Sequence, residues 1–246
     1  MNEPVERKRP SVLLRWLAVA GLALALAMAM LPIGRASAAD TVTWKNYDVT
    51  IDVQQNGDYH VSERQIVEFD GQFSHGFADL DLANLNSIDN VKVAVANTTS
   101  ATPLASTFVD SSDYDEESGT YTTQQTGGSL EVDYGFDSTD YFGSEERLIV
   151  LEYDVSGALR VYPDLVPPNQ MLWFTAITKD VTDIANIDQA SVTINLPKAV
   201  DAADIVANPV SPTTKGQSYT WTKSDMTKGY DFEVRLQFPQ ITTATE

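Results

Sequence analysis

The sequence predicts an all-β protein: an elaborated antiparallel β-sandwich of immunoglobulin or jelly-roll type, preceded by an N-terminal hydrophobic signal helix. Three observations predict it. From Thr43 to Pro239 apolar and polar residues alternate by twos, the period of strands with one buried and one wet face. After residue 40 no stretch of three turns carries apolar residues at the spacing of an amphipathic helix. Gly, Asn, Asp and Pro punctuate the apolar runs at short intervals, as they do in sandwiches and barrels.

The first 38 residues differ from the rest. Arg7, Lys8, Arg9 and Arg15 form a basic flank, Trp16 to Leu31 is wholly apolar, Pro32 and Gly34 break the run, and Ala36-Ser37-Ala38 is a small-residue cleavage site. That order of parts is a secretory signal peptide. The run from Trp16 to Ile33 is 18 residues, close to a membrane span, so an uncleaved N-terminal anchor is the alternative. Cleavage is preferred because the breaker and the small residues follow at once. In either case the basic flank stays in the cytoplasm and the remainder is exported, to the extracellular space or the cell envelope.

The exported strands follow in order. Tyr47, Val49, Ile51 and Val53 alternate with Asp48, Thr50 and Asp52, and Asn56-Gly57 supplies a tight hairpin turn. The return strand runs from Tyr59 and Val61 to Val67 and Phe69. Leu130, Val132, Tyr134 and Phe136 share one face of the next clear strand, and Ile149, Leu151, Tyr153 and Val155 that of another. Thr178 to Asn186 has room for one or two helical turns. Val192, Ile194 and Leu196 make a short strand. Phe232, Val234, Leu236 and Phe238, set against Asp231, Glu233, Arg235 and Gln237, make the cleanest. No Gly/Ser- or Pro-rich linker divides this part, so residues 39–246 read as one domain with a short tail at 240–246.

Composition narrows the functional classes. Of 246 residues, 35 are acidic and 16 basic, and there is no Cys. The missing Cys excludes disulfide scaffolds, thiolate metal sites and thiol chemistry. Residues 1–38 hold five of the basic residues and two of the acidic ones, so the remainder carries 33 acidic and 11 basic groups, a net −22. Such a chain repels polyanions, which argues against nucleic-acid partners. Membrane contact is expected only through the N-terminal segment, if it is uncleaved.

The order of several pieces carries a resemblance. A "YDVTIDVQQNGDYHVSE" hairpin is followed by the Gly-rich turn "FDGQFSHGF" and by "IDNVKVAV". Then come "RLIVLEYDVSGALRVYPD", "MLWFTAI", "IDQASVTINLP" and a final "YDFEVRLQFP". Over residues 43–239 this resembles the N-terminal extracellular domain of the DUF2207 family of predicted bacterial membrane proteins. The resemblance implies a signal peptide, a β-sandwich outside the membrane and no established biochemical activity, and it brings no catalytic residues to carry over. Relatives continue into transmembrane helices, whereas this sequence ends at Glu246. An Arg expected after the "SHGF" glycine is replaced by Phe77-Ala78-Asp79.

Motifs for catalysis are missing. The sequence has no G-x-S-x-G, and its two histidines, His60 and His75, have no supporting pattern. His60 falls on the solvent side of its strand, and His75 reads as a turn residue. Two scattered histidines do not make a zinc site. Calcium takes carboxylate oxygens, and Asp110, Asp113, Asp115, Glu116 and Glu117 in "VDSSDYDEESG" are the candidate ligands. An exposed hairpin loop of like charges is the plainer reading of that segment. Asp79 and Asp81 form a weaker pair. A carboxylate-based hydrolase needs two acids across one deep cleft, which abundance alone does not supply.

Glu63 and Gln65 interrupt the inward parity of Tyr59, Val61, Val67 and Phe69. A bulge that rephases the strand and brings Ile66 inward explains this most simply. The alternative is a buried Glu63 paired with Arg147 or Arg160. Among aromatics, Trp173 in Met171-Leu172-Trp173-Phe174 reads as core, while Trp44 and Trp221 read as half-buried. Tyr141-Phe142 is the most exposed pair and is expected to fold back on the sheet. Asn97-Thr98-Thr99 matches a glycosylation sequon.

The expected function is therefore a non-catalytic, exported binding or interaction module whose partner is an envelope or extracellular protein or a glycan. A calcium-dependent adhesion module and a carboxylate-based hydrolase are the alternatives.

Overall fold

The computed structural model describes residues 40–245. The predicted signal segment at 1–38 lies outside them. From Asp40 onward the chain forms one compact unit. Its strands are β1 (Thr41–Val53), β2 (Tyr59–Asp70), β3 (His75–Asp81), β4 (Ser87–Ala96), β5 (Leu104–Ala105), β6 (Thr107–Phe108), β7 (Thr120–Thr126) and β8 (Ser129–Gly135). There follow β9 (Ser144–Ser156), β10 (Arg160–Tyr162), β11 (Asn169–Ile177), the short helix α1 (Lys179–Ile184), β12 (Asn186–Asn195), β13 (Val206–Asn208), β14 (Thr213–Lys215), β15 (Ser218–Met226) and β16 (Phe232–Pro239).

The protein is mostly β, in three open sheets. The large sheet has the order β14-β15-β12-β1-β2-β9-β4-β5; the smaller ones are β3-β8-β7-β6 and β10-β11-β16-β13. The expectation of a purely antiparallel arrangement is corrected at two places: β1 pairs with β12 in parallel, and so does β6 with β7. Neither pairing has a local signature. The β1–β12 ladder joins residues such as Asp48 and Ser191, which lie 143 positions apart.

Period-two alternation decides which faces meet. On the large sheet Tyr47, Val49, Ile51, Val61, Leu151, Tyr153, Val192 and Ile194 are all buried on one face. Both small sheets pack onto that face. Phe69 of β2 lies 5.3 Å from Phe136, just past β8. The Trp221 indole of β15 donates to Pro209 O, just past β13 (2.7 Å). Leu172, Phe232, Val234, Leu236 and Phe238 complete the core from the third sheet. The opposite face of the large sheet is polar, with rows such as Asp52, His60 and Asp154.

The β1–β2 hairpin closes with the Asn-Gly pair as expected, but through a three-residue loop. Gln54 N–H donates to Asp58 O (2.8 Å), Gly57 N–H to Gln54 O (3.1 Å), and Gly57 takes φ +95°, the left-handed position such loops reserve for glycine. The bulge expected in β2 is absent there. β2 keeps one register against β9 from Tyr59 to Asp70, and Ile66 stays half-buried. The bulge lies instead in β1, between Trp44 and Asn46. It turns both Trp44 and Tyr47 toward the inner face.

Candidate functional site

That rephasing builds a buried polar cluster. Glu63 is 4% exposed. Its carboxylate accepts from Tyr47 Oη (2.6 Å), Tyr153 Oη (2.8 Å) and Gln65 Nε2 (3.2 Å). Gln65 is oriented in turn by Trp44 Nε1, which donates to its Oε1 (2.9 Å). Burial pushes the Glu63 carboxyl above its ordinary range, and the three donors pull it back. Burial, followed by the Glu63 charge, pushes both Tyr47 and Tyr153 hydroxyls well up. Neither Arg147 nor Arg160 serves as partner, correcting the sequence alternative. Arg147 pairs with Glu145 (2.6 Å) and donates to Asn97 O (3.2 Å). Tyr47, Glu63, Gln65 and Tyr153 are all buried, so the cluster belongs to the core.

The acidic segment follows β6, which pairs in parallel with β7, so it is a crossing loop and not a hairpin tip. Asp110, Asp113, Asp115, Glu116 and Glu117 are each exposed. Glu116 turns to His75 Nδ1 (3.4 Å), and His75 opens β3 instead of sitting in a turn. Gly135 lets this loop lie on β8: a Cβ there would collide with the Glu116 and Glu117 carbonyl oxygens. Burial and the nearby Asp133 carboxylate push the Tyr114 hydroxyl up to about 12. Asp133 itself is raised by burial and by Glu131. Among the described residues no three His, Asp or Glu side chains gather where they would hold a metal ion.

Two shallow grooves mark the described surface. One, of about 260 Å³, lies between β4 and β7 and has Asp89 as its sole carboxylate. The other, of about 360 Å³, is lined by Glu145, Glu146 and Arg147. Glu145 and Glu146 are neighbours in β9 and project to opposite faces. Neither groove sets two carboxylates across from each other, the geometry of acid–base glycoside hydrolysis.

The remaining candidate is the outer face of the β10-β11-β16-β13 sheet. β11 contains four apolar residues in a row, which is why Trp173 reads as core. The register puts Leu172 and Phe174 inward and leaves Met171 and Trp173 outside. Trp173 is 40% exposed. The Arg235 guanidinium lies 3.8 Å from its ring centroid and that of Arg160 5.6 Å. Both arise from register: Arg235 faces Trp173 across β16–β11, and Arg160 faces Met171 across β10–β11. Glu233 pairs with Arg235 (2.7 Å), and Arg160 makes no ion pair among the described residues. Tyr162, Gln237, Asn208 and the exposed Val206 extend the face.

Chemically this face differs from every other broad face of the domain. The outer face of the large sheet presents Asp48, Asp52, Glu152 and Asp154; that of the β3-β8-β7-β6 sheet presents Asp79, Asp81, Glu131 and Asp133. Guanidinium forks fit carboxylate or phosphate oxygens. Trp, Tyr, Met and Arg are the residues enriched where partners bind. Sequence reasoning missed this site because the pairing of Arg235 and Arg160 with Trp173 is set by cross-strand register. Of the aromatics it did single out, Tyr141 and Phe142 stay exposed and stack edge-on to each other at 4.7 Å instead of folding onto a sheet. Trp44 is half-buried as expected and Trp221 fully buried.

No helix among the described residues is long and apolar enough to cross a membrane. No curated protein matches the sequence. Among solved structures, a candidate protease from Parabacteroides distasonis ATCC 8503 is similar at a TM-score of 0.44 and 9% identity, over 80% of this chain. This chain spans 40% of the length of that one. The family comparison covers nearly all the strands: the chain matches over residues 43–238 and belongs to the DUF2207 family of predicted membrane proteins, of which this is the N-terminal domain.

Proposed function

We propose that this chain is an exported, non-catalytic binding module, one elaborated β-sandwich at the cell envelope, that captures an anionic envelope partner on its Arg160–Trp173–Arg235 face. One observation carries the reading. An indole left 40% exposed is flanked by two guanidiniums, on a domain whose other broad faces are acidic. Aromatic area supplies the apolar contact, and the arginines select negative charge. Export is supported by the basic flank, apolar run and small-residue site that precede Asp40.

Two experiments test this. Fractionation with N-terminal sequencing reads the location. A start at Ala39 or Asp40 outside the cytoplasm agrees with release, an intact Met1 in the membrane agrees with anchoring, and an intact cytoplasmic chain overturns the export reading. Co-sedimentation with isolated cell-envelope fragments reads the face. An Arg160→Glu/Arg235→Glu variant that melts like the parent is expected to lose binding at least tenfold; unchanged binding overturns the assignment of the face.

A further inference from the structure

Both small sheets cover the same face of the large sheet, so their outer faces look the same way. They are chemical opposites. One presents Arg160, Arg235 and Trp173. The other presents Asp79, Asp81 and Glu131 around Phe77, which is 58% exposed. Asp79 and Glu131 are direct cross-strand partners, a like-charge pair that costs stability within the sheet and that a guanidinium laid across it would relieve.

We propose that two copies of this chain dock face to face about a two-fold axis, the Arg160–Trp173–Arg235 face of each against the carboxylate face of the other's β3-β8-β7-β6 sheet. A two-fold repeats every contact, so the arrangement satisfies both faces of both copies and closes at a dimer. A head-to-tail contact would leave one face of each kind open and polymerise. The 110–118 loop covers the Gly135 end of β8, so the docking surface of the β3-β8-β7-β6 sheet is its open part around Phe77, Asp79, Asp81 and Glu131. This inference rests on the reading of the Trp173 face as a binding face and names its occupant.

The charge predicts an unusual salt signature. Each exported copy carries a net −22. At about 0.01 M salt the screening length, roughly 30 Å, lets the two net charges repel; at about 0.15 M, roughly 8 Å, the facing guanidinium–carboxylate contacts survive while that repulsion is screened. Near 1 M both are screened. Association is therefore strongest at intermediate salt.

The test is sedimentation velocity on the chain expressed from its full sequence, with two charge-reversed variants. One carries Arg160→Glu and Arg235→Glu, the other Asp79→Lys and Glu131→Lys; all four positions are on outer faces, and unchanged melting curves confirm folding. The parent is expected to dimerise with a maximum at intermediate salt. Each variant alone is expected to lose at least tenfold in affinity. An equimolar mixture is expected to regain it, because in the mixed pair both patches are again complementary. A parent that stays monomeric at every salt concentration overturns the proposal, as does a dimer indifferent to both variants or a mixture that regains nothing. A monomeric parent whose binding to envelope fragments is still lost in the Arg160→Glu/Arg235→Glu variant overturns the second copy as occupant and leaves the binding face standing. Loss of neither activity removes both.

Discussion

Tyr153→Phe removes one hydroxyl from the core and little volume, and its cost should depend on pH. The Tyr153 hydroxyl donates to Glu63 at 2.8 Å, and all three contacts to Glu63 are donors, the pattern of an ionised acceptor. A hydrogen bond to a charged group is worth about 1.5–3 kcal/mol, so the variant loses about 2 kcal/mol where Glu63 is ionised. For a domain of this size that is a fall in Tm of roughly 4–8 °C. Burial raises the folded-state value of Glu63 above its ordinary 4.5. The folded chain thus holds the proton more tightly than the unfolded one, and the group's contribution to stability is greatest below 4.5 and declines as pH rises through the raised value. Removing a donor raises that value further. The deficit of Tyr153→Phe should therefore be about 2 kcal/mol at alkaline pH and shrink toward the roughly 1 kcal/mol of a neutral hydrogen bond as pH falls through the raised value. Thermal melts of parent and variant across that range measure it. A deficit that stays at about 1 kcal/mol or less even at alkaline pH would refute the claim that Glu63 is held as a buried anion.

Other perturbations separate core, loop and surface. Leu236→Ala, at a position with no exposure, is expected to cost about 2–5 kcal/mol in denaturant melts. Gly135→Ala pushes a Cβ into the Glu116 and Glu117 carbonyls, so a glutamate-specific protease should cut the 110–118 loop faster while the strands stay protected. Calcium is expected to leave Tm unchanged, since the loop carboxylates do not gather; a rise with calcium would show a site that binds the folded state.

Much of the sheet structure was legible in single strands. Phe232, Val234, Leu236 and Phe238 are all buried on the parity they declare, and α1 falls within the segment that had room for it. What escaped was set between strands. Glu63 and Gln65 looked out of phase because β2 was read alone. Tyr47 on β1 and Tyr153 on β9 share their inward parity and carry the hydroxyls that satisfy them, a signal visible in the sequence once the three strands are aligned. Trp173 looked like core because a run of four apolar residues hides which two face outward. The parallel β1–β12 pair has no trace in either strand, since direction of pairing is decided by the connection and not by residue type.

The central place of β1 bears on the order in which such a domain assembles. Travelling from the N-terminus, β1 emerges first and finds β2 at once, but its other edge is closed only by β12, 143 positions behind at the Asp48–Ser191 rung. Closing a ladder across so long a separation is slow. Until the last third of the domain is in place, the β1–β2 ribbon is an unlatched half, and the large sheet closes only when β12 reaches the free edge of β1.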